Sequence, residues 1–219
     1  MKLAILDLVK VSREYLLDKA LSTLSYIVSM QIKFTQQEID QVLDFANKID
    51  TSYYAKRSQF DSEKRKQDQV VGKLGEIATY NALKEKYNDL SSVDFLIYEK
   101  NQKSWDFDLK ANNINLHTKS QNIVQSKKYG QSWIFQKGNG VNRHYDKEVF
   151  DRTSPNQYVS FVLVDLNKYE AEIKAIVSLD FLHKKDLFKL PVLERLRLSN
   201  KVAVYYDDIK EYPTQLWVL

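Results

Sequence analysis

The residues best suited to chemistry lie in one short segment, Asp106-Phe-Asp-Leu-Lys-Ala-Asn-Asn-Ile-Asn-Leu-His-Thr-Lys119. Successive side chains of a strand point to opposite faces. Asp106 and Asp108 therefore share a face, and so do His117 and Lys119. If Asn112-Asn113 turns the chain, the two stretches pair as antiparallel strands and the four polar groups are brought together, with Phe107, Leu109, Ile114 and Leu116 on the opposite face against a core. Carboxylates on such a surface suit a hard cation such as Mg²⁺. The ammonium can orient water and offset negative charge developing on a phosphate. Gln121, two residues beyond Lys119, extends the same face towards a DNA phosphate. The same alternation is also what any solvated hairpin face presents.

A second signal lies upstream, in Gly72-Lys-Leu-Gly-Glu76. The chain has only five Gly, where average usage of about 7% would give roughly 15. Two of the five fall within an otherwise good helical stretch, where each Gly costs on the order of 1 kcal/mol relative to Ala. Either a close helix contact or the approach of a ligand backbone accounts for them. Glu76 follows directly.

The elements expected to position these groups are read from hydrophobic periodicity. Apolar residues recur at helical spacing from Leu3 to Val28, and the first third as a whole reads helical. Thr35-Gln-Gln-Glu38 is a capping-box pattern opening a second helix, and a longer helix is expected from about Asp61 to Tyr87. Strands are expected at Val93–Tyr98, Trp105–Leu109, Ile114–Lys119, Ser132–Phe135, Tyr158–Leu166, Glu172–Val177 and Lys201–Tyr206. Ser178 should cap a helix running from Leu179 to about Lys189. Helices followed by mixed strands with helices returning indicate an α/β protein. The expected organisation is one compact domain, with an N-terminal helical region over residues 1–60 and an α/β core over residues 61–219.

Composition removes several classes. There is no Cys, so neither a disulfide framework nor a thiolate zinc site is available. The scarcity of Gly argues against Gly-rich phosphate loops and a nucleotide cofactor. No apolar run is long enough for a signal-peptide core or a membrane span, which points to a soluble, cytoplasmic protein. The net charge of +4 is unevenly spread: residues 1–99 carry net −1, residues 100–152 net +5, and residues 153–219 are balanced. The central excess suits a phosphate backbone, with Lys127 and Lys128, and the run Lys64-Arg-Lys66, as contacts. Asn139, Asn142, Arg143 and His144 suit base edges, since Asn can read adenine and Arg guanine. His183 beside Lys184-Lys185 reads as surface.

A helix bearing G-x-x-G-E, followed by a hairpin whose first strand bears Asp and whose second ends in x-Lys, resembles the PD-(D/E)xK nuclease superfamily, especially type II restriction endonucleases. The resemblance covers roughly Val70 to Gln121. Lys119 matches the motif lysine. Asp108, nine residues before His117, matches the first-strand aspartate, with Asp106 as a second candidate. Glu76 matches the helix glutamate. His117 departs from the pattern, standing where the family usually has Asp or Glu; a neutral imidazole can bind a divalent metal but brings no negative charge. Gln125 and Tyr129 have the Q-x-x-x-Y spacing of one branch of the superfamily.

The resemblance implies a restriction-endonuclease-like mixed central sheet flanked by helices, with an N-terminal helical extension. It implies a hydrolase, a Mg²⁺- or Mn²⁺-dependent endodeoxyribonuclease that cuts double-stranded DNA at a specific site to leave 5′-phosphates. Catalysis would fall to Asp108, His117, Lys119 and Glu76, and metal binding to Asp108, Glu76, Asp106 and His117. Cutting both strands of a palindromic site implies a C2 homodimer. Two other readings remain open: a structure-specific repair, recombination or phage DNA-processing nuclease, and an inactive DNA-binding protein on a nuclease fold.

Overall fold

The computed structural model describes residues 29–49, 61–98, 107–138, 146–151 and 154–213. The expected N-terminal helix, Trp105, Asp106, Asn139, Asn142, Arg143 and His144 lie outside the described residues.

Among the described residues, five strands form one mixed sheet: β1 (Met30–Lys33), β2 (Leu109–Ala111), β3 (Ile114–Asn122), β5 (Gln157–Asp165) and β6 (Glu170–Ser178). Their order is β1-β6-β5-β3-β2. β3 and β5 run parallel and the other neighbours antiparallel. A separate antiparallel pair joins β4 (Ser132–Gln136) to β7 (Lys201–Tyr205). The protein is therefore α/β, with a mixed sheet flanked by helices.

Two helices cover one face of the sheet. α1 (Gln36–Lys48) begins with the expected capping box, in which Thr35 and Glu38 satisfy each other's backbone donors. α2 (Ser62–Leu83) is capped by the Asp61 side chain. Val42, Ala46, Leu74, Ile77 and Ala78 meet Leu109, Leu116, Val162, Val164 and Ile173 in a common core. The opposite face carries Val159, Phe161, Leu163, Ala175 and Val177, which pack on Trp133 and Phe135 of β4 and Val202 and Val204 of β7. α5 (Leu179–Lys184) closes this second core with Leu179, Phe181 and Leu182. The remaining short helices are α3 (Ile123–Tyr129), α4 (Lys147–Asp151), α6 (Glu194–Arg197) and α7 (Tyr206–Ile209).

A bulge in β6 makes this two-sided burial possible. The register shifts so that Phe161 faces Ala175 while Val162 faces Ile173, leaving Lys174 as the extra residue. Ile173 and Ala175 thereby serve opposite cores although strict alternation would put them on the same face. Lys174, buried itself, pairs with Glu172 at 2.7 Å and lies over the Tyr206 ring.

The structure corrects several expected elements. Met30–Lys33 lies in the stretch read as helical, yet it is a strand on the edge of β6. Four residues are too few to stand out beside a helical run, and their fate is set by the unpaired edge they cover. β1 and α1 belong to the same sheet and core as α2. Val93–Tyr98 is not a strand. Asp94 instead accepts hydrogen bonds from the Leu96 N–H and the Tyr98 hydroxyl, local bonding that competes with strand pairing, and Leu96 and Ile97 are exposed. Of the strand expected over Trp105–Leu109, the described Phe107 and Asp108 are not in strand, and β2 begins at Leu109. α5 stops at Lys184, not Lys189, because Asp186 turns into the left-handed region (φ 51°) and sends Leu187 into the core.

The two helical glycines separate cleanly. A Cβ on Gly75 would stand 1.8 Å from Ser120 Oγ and 2.9 Å from Ser120 Cβ, whereas one on Gly72 would meet nothing within 4 Å. Gly75 is therefore the price of laying α2 directly on β3. Thermal or urea unfolding should show Gly75→Ala destabilised by about 1–3 kcal/mol through overpacking, and Gly72→Ala unchanged or stabilised by up to about 1 kcal/mol.

Candidate active site

The Asn112-Asn113 turn forms as expected, pairing Leu109 with Leu116 and Ala111 with Ile114. Beyond Leu109 the two strands separate. Asp108 donates its N–H to the Leu116 carbonyl at 3.0 Å, and its Oδ2 accepts the Thr118 N–H at 2.7 Å. A side-chain carboxylate thus replaces the backbone acceptor that a continuing strand would have supplied. Strict alternation also ends here: Phe107, expected on the core face with Leu109, lies against the His117 ring with 4.8 Å between centroids.

β3 distributes its side chains to two layers. Leu116, Thr118 and Ser120 face α2, while His117, Lys119 and Gln121 follow the alternation that puts Val159 and Phe161 of the neighbouring strand in the second core. Glu76 comes from α2, on the first side. Asp108, at the open end of the hairpin, acts electrostatically on both Glu76 and His117. The site therefore straddles the sheet edge, where a single polar strand face was expected.

Glu76 forms an ion pair with Lys73 at 2.7 Å, both side chains being about 15% exposed. Lys73 is held in turn over the rings of Phe45 and Phe95. Burial, then the Asp108 carboxylate, push the Glu76 carboxyl up to about 8 against the pull of Lys73, with Asp94 adding to the rise. His117 is 9% exposed and its Nε2 meets no hydrogen-bond partner. Burial holds its pKa below the ordinary 6.5; Asp108 and Asp146 oppose this and Lys119 reinforces it, so the imidazole is neutral at pH 7. Lys119 Nζ lies 3.0 Å from Asp146 Oδ2 and 4.8 Å from the centroid of the Phe135 ring.

Other expected contacts are placed differently. Gln121 is buried; its Nε2 donates to the Gly130 carbonyl and its Oε1 accepts the Ser132 N–H. It closes the α3–β4 turn, and this engagement turns it away from a role on an incoming phosphate. Lys127 and Lys128 are exposed on the last turn of α3. His183 is not simply surface: its Nε2 lies 2.9 Å from the Val149 carbonyl and its ring contacts Phe188. Sequence reading missed Lys73, Asp94 and Asp146. No local pattern marks Asp146, which is drawn in by a tertiary contact 27 residues from Lys119.

No family model matches the chain, and neither a curated protein nor a solved structure matches it. Its chemistry has to be inferred from its own residues. Among the described residues no group of three or more His, Asp or Glu side chains is gathered as a ready metal cage. Glu76 and Asp108 are nevertheless two hard oxygen donors, with the Asp108 carboxylate disfavouring charge on Glu76, and His117 adds a nitrogen, Nε2, that has no hydrogen-bond partner among the described residues. Each is of a residue type that can ligate a divalent cation. No helix among the described residues is long and apolar enough to cross a membrane.

The raised Glu76 carboxyl has a sign that can be measured. Between its unfolded value of 4.5 and about 8 the folded state binds the extra proton, so this group makes stability fall as pH rises through that window, at up to about 1.4 kcal/mol per pH unit. Urea unfolding of Glu76→Gln from pH 5 to pH 8 should show this decline removed, with the variant gaining on the wild type towards pH 8.

Proposed function

We propose that this protein is a metal-dependent endodeoxyribonuclease of the restriction type, acting on double-stranded DNA. One observation carries the reading: the Asp108 carboxylate, where the β2–β3 hairpin opens, acts electrostatically on Glu76 of the helix laid across β3 and on His117 of β3, two residues before Lys119. Asp108 and Glu76, with His117, would hold Mg²⁺ or Mn²⁺; Asp106 is a further candidate. When bound, such a cation supplies Lewis-acid activation of water and offsets charge on the scissile phosphate.

The chain's own groups do the rest. The Lys119 ammonium would hydrogen-bond a phosphate oxygen or the attacking water, and the buried imidazole of His117 would exclude bulk solvent from one side. Lys127 and Lys128 offer phosphate contacts, and Asn139, Asn142, Arg143 and His144 form the base-reading segment of the proposal. Cleavage of both strands to 5′-phosphates requires two such sites, hence a C2 homodimer.

A second reading is favoured by one feature: His117 stands at a position where a carboxylate would add negative charge, and Asp108 and Glu76 already have other partners. On that reading the protein binds DNA without cutting it. A structure-directed repair, recombination or phage DNA-processing nuclease would use the same site without base readout.

Plasmid DNA incubated with the protein and Mg²⁺ or Mn²⁺ should yield discrete fragments. Nicking or smearing would indicate the structure-directed nuclease, and shifted but intact DNA the binding protein. Lys119→Ala and Asp108→Asn should each lower cleavage by about 100-fold or more, Asp108→Asn while keeping an acceptor for the Thr118 N–H. Wild-type cutting by either variant would overturn the site.

A further inference from the structure

We propose that Asp146 is the residue that positions the Lys119 ammonium, an inference that rests on the nuclease reading for its kinetic consequence. Asp146 is itself tightly fixed. Its N–H donates to the Gln136 carbonyl at 2.9 Å, and its Oδ2 accepts the Gln136 N–H at 2.9 Å. Its carbonyl accepts the Val149 and Phe150 N–H groups at 3.1 and 3.2 Å, opening α4. The carboxylate oxygen that receives Gln136 also receives Lys119 Nζ at 3.0 Å. The end of β4 and the start of α4 thus hold one oxygen at a set point beside β3.

The second wall of the Lys119 pocket is equally rigid. Phe135 is fully buried, with its ring edge-on to Phe161 at 6.3 Å and to Phe188 at 5.3 Å. Its face lies under Lys119 Nζ. A lysine has four freely rotating bonds and large rotamer entropy. Two fixed partners, a carboxylate and an aromatic face, remove that freedom before substrate arrives. An ammonium held so is pre-oriented, and misplacing a positioned group by about 1 Å costs about 100-fold in rate. Asp146 also carries negative charge next to the surface a polyanion would approach. Its removal should ease DNA binding even as it loosens Lys119.

These opposed effects distinguish positioning from mere support. In the full chain with Mg²⁺, Asp146→Asn keeps an acceptor for the Gln136 N–H but loses the charge. It should cleave plasmid about 10- to 100-fold more slowly, with DNA affinity unchanged or tighter and the melting temperature nearly that of the wild type. Asp146→Glu should recover part of the rate. Side-chain NMR of the lysine ammonium groups should show the Lys119 signal, ordered in the wild type, broadened or lost in Asp146→Asn while backbone amide signals elsewhere are retained. Wild-type cleavage by Asp146→Asn would overturn the inference. So would parallel loss of stability and DNA affinity, which would make Asp146 only a staple between β4 and α4. If the wild type cuts no DNA, the nuclease reading fails by itself, and the Lys119 signal alone then decides whether Asp146 positions the ammonium.

Discussion

The close approach of α2 to β3 is the constraint on which the rest of the structure turns. A helix ordinarily rests on a sheet through side chains of some bulk. Here Gly75 brings its backbone against Ser120 and Thr118, and Thr79 Oγ1 lies 3.0 Å from the Gly75 carbonyl and 2.8 Å from Ser160 Oγ. Small polar side chains replace aliphatic ones along this seam because nothing larger fits, and the Thr79 hydroxyl is satisfied within it. The contact sets the height of α2 over the sheet, and with it the position of Glu76 relative to Asp108. A helix held further out by one methyl group would still bury Leu74 and Ile77, but the two carboxylates would sit elsewhere.

That placement has an electrostatic cost which the fold partly offsets. Burial and the Asp108 carboxylate disfavour ionisation of Glu76, and Lys73, held over the rings of Phe45 and Phe95, offsets this only in part. The result is a carboxyl group raised to about 8. His117 is the complementary case. Burial keeps it neutral, so its contribution is geometric and nitrogen-donating, and net charge in the site depends on Glu76, Asp108 and Lys119.

The second core organises the other half. The bulge at Lys174 lets one strand feed both cores, and the layer formed by β4 and β7 supplies Phe135 and, through Gln136, the anchor for Asp146. Trp133 ties this layer to the sheet by donating its indole N–H to the Val162 carbonyl at 3.0 Å. Lys119 thus depends on the packing of one core and Glu76 on that of the other, and Asp108 lies just before the three-residue strand Leu109–Ala111.

Local patterns in the sequence determined much of this. The Thr35–Glu38 box, the helix after Asp61, the turn at Asn112-Asn113 and the alternation from Ile114 to Lys119 all specify their conformations through neighbours a few residues away, so each was legible before any tertiary contact was known. The scarcity of glycine singled out Gly75 and, with it, Glu76. What only the tertiary structure decided are the outcomes that depend on distant partners. Met30–Lys33 becomes a strand because β6 presents an edge, and Val93–Tyr98 fails to become one because Asp94 captures its own neighbours. Gln121 is drawn into a turn, and Asp146 meets Lys119 across 27 residues. Whether the polar residues of the hairpin form one face was likewise outside the reach of alternation, because Asp108 ends the strand with its own side chain and turns the expected face into a site divided between two cores. Periodicity reports which way a side chain points within an element; it carries no information about where an element stops pairing, and Asp108 sits at that stopping point.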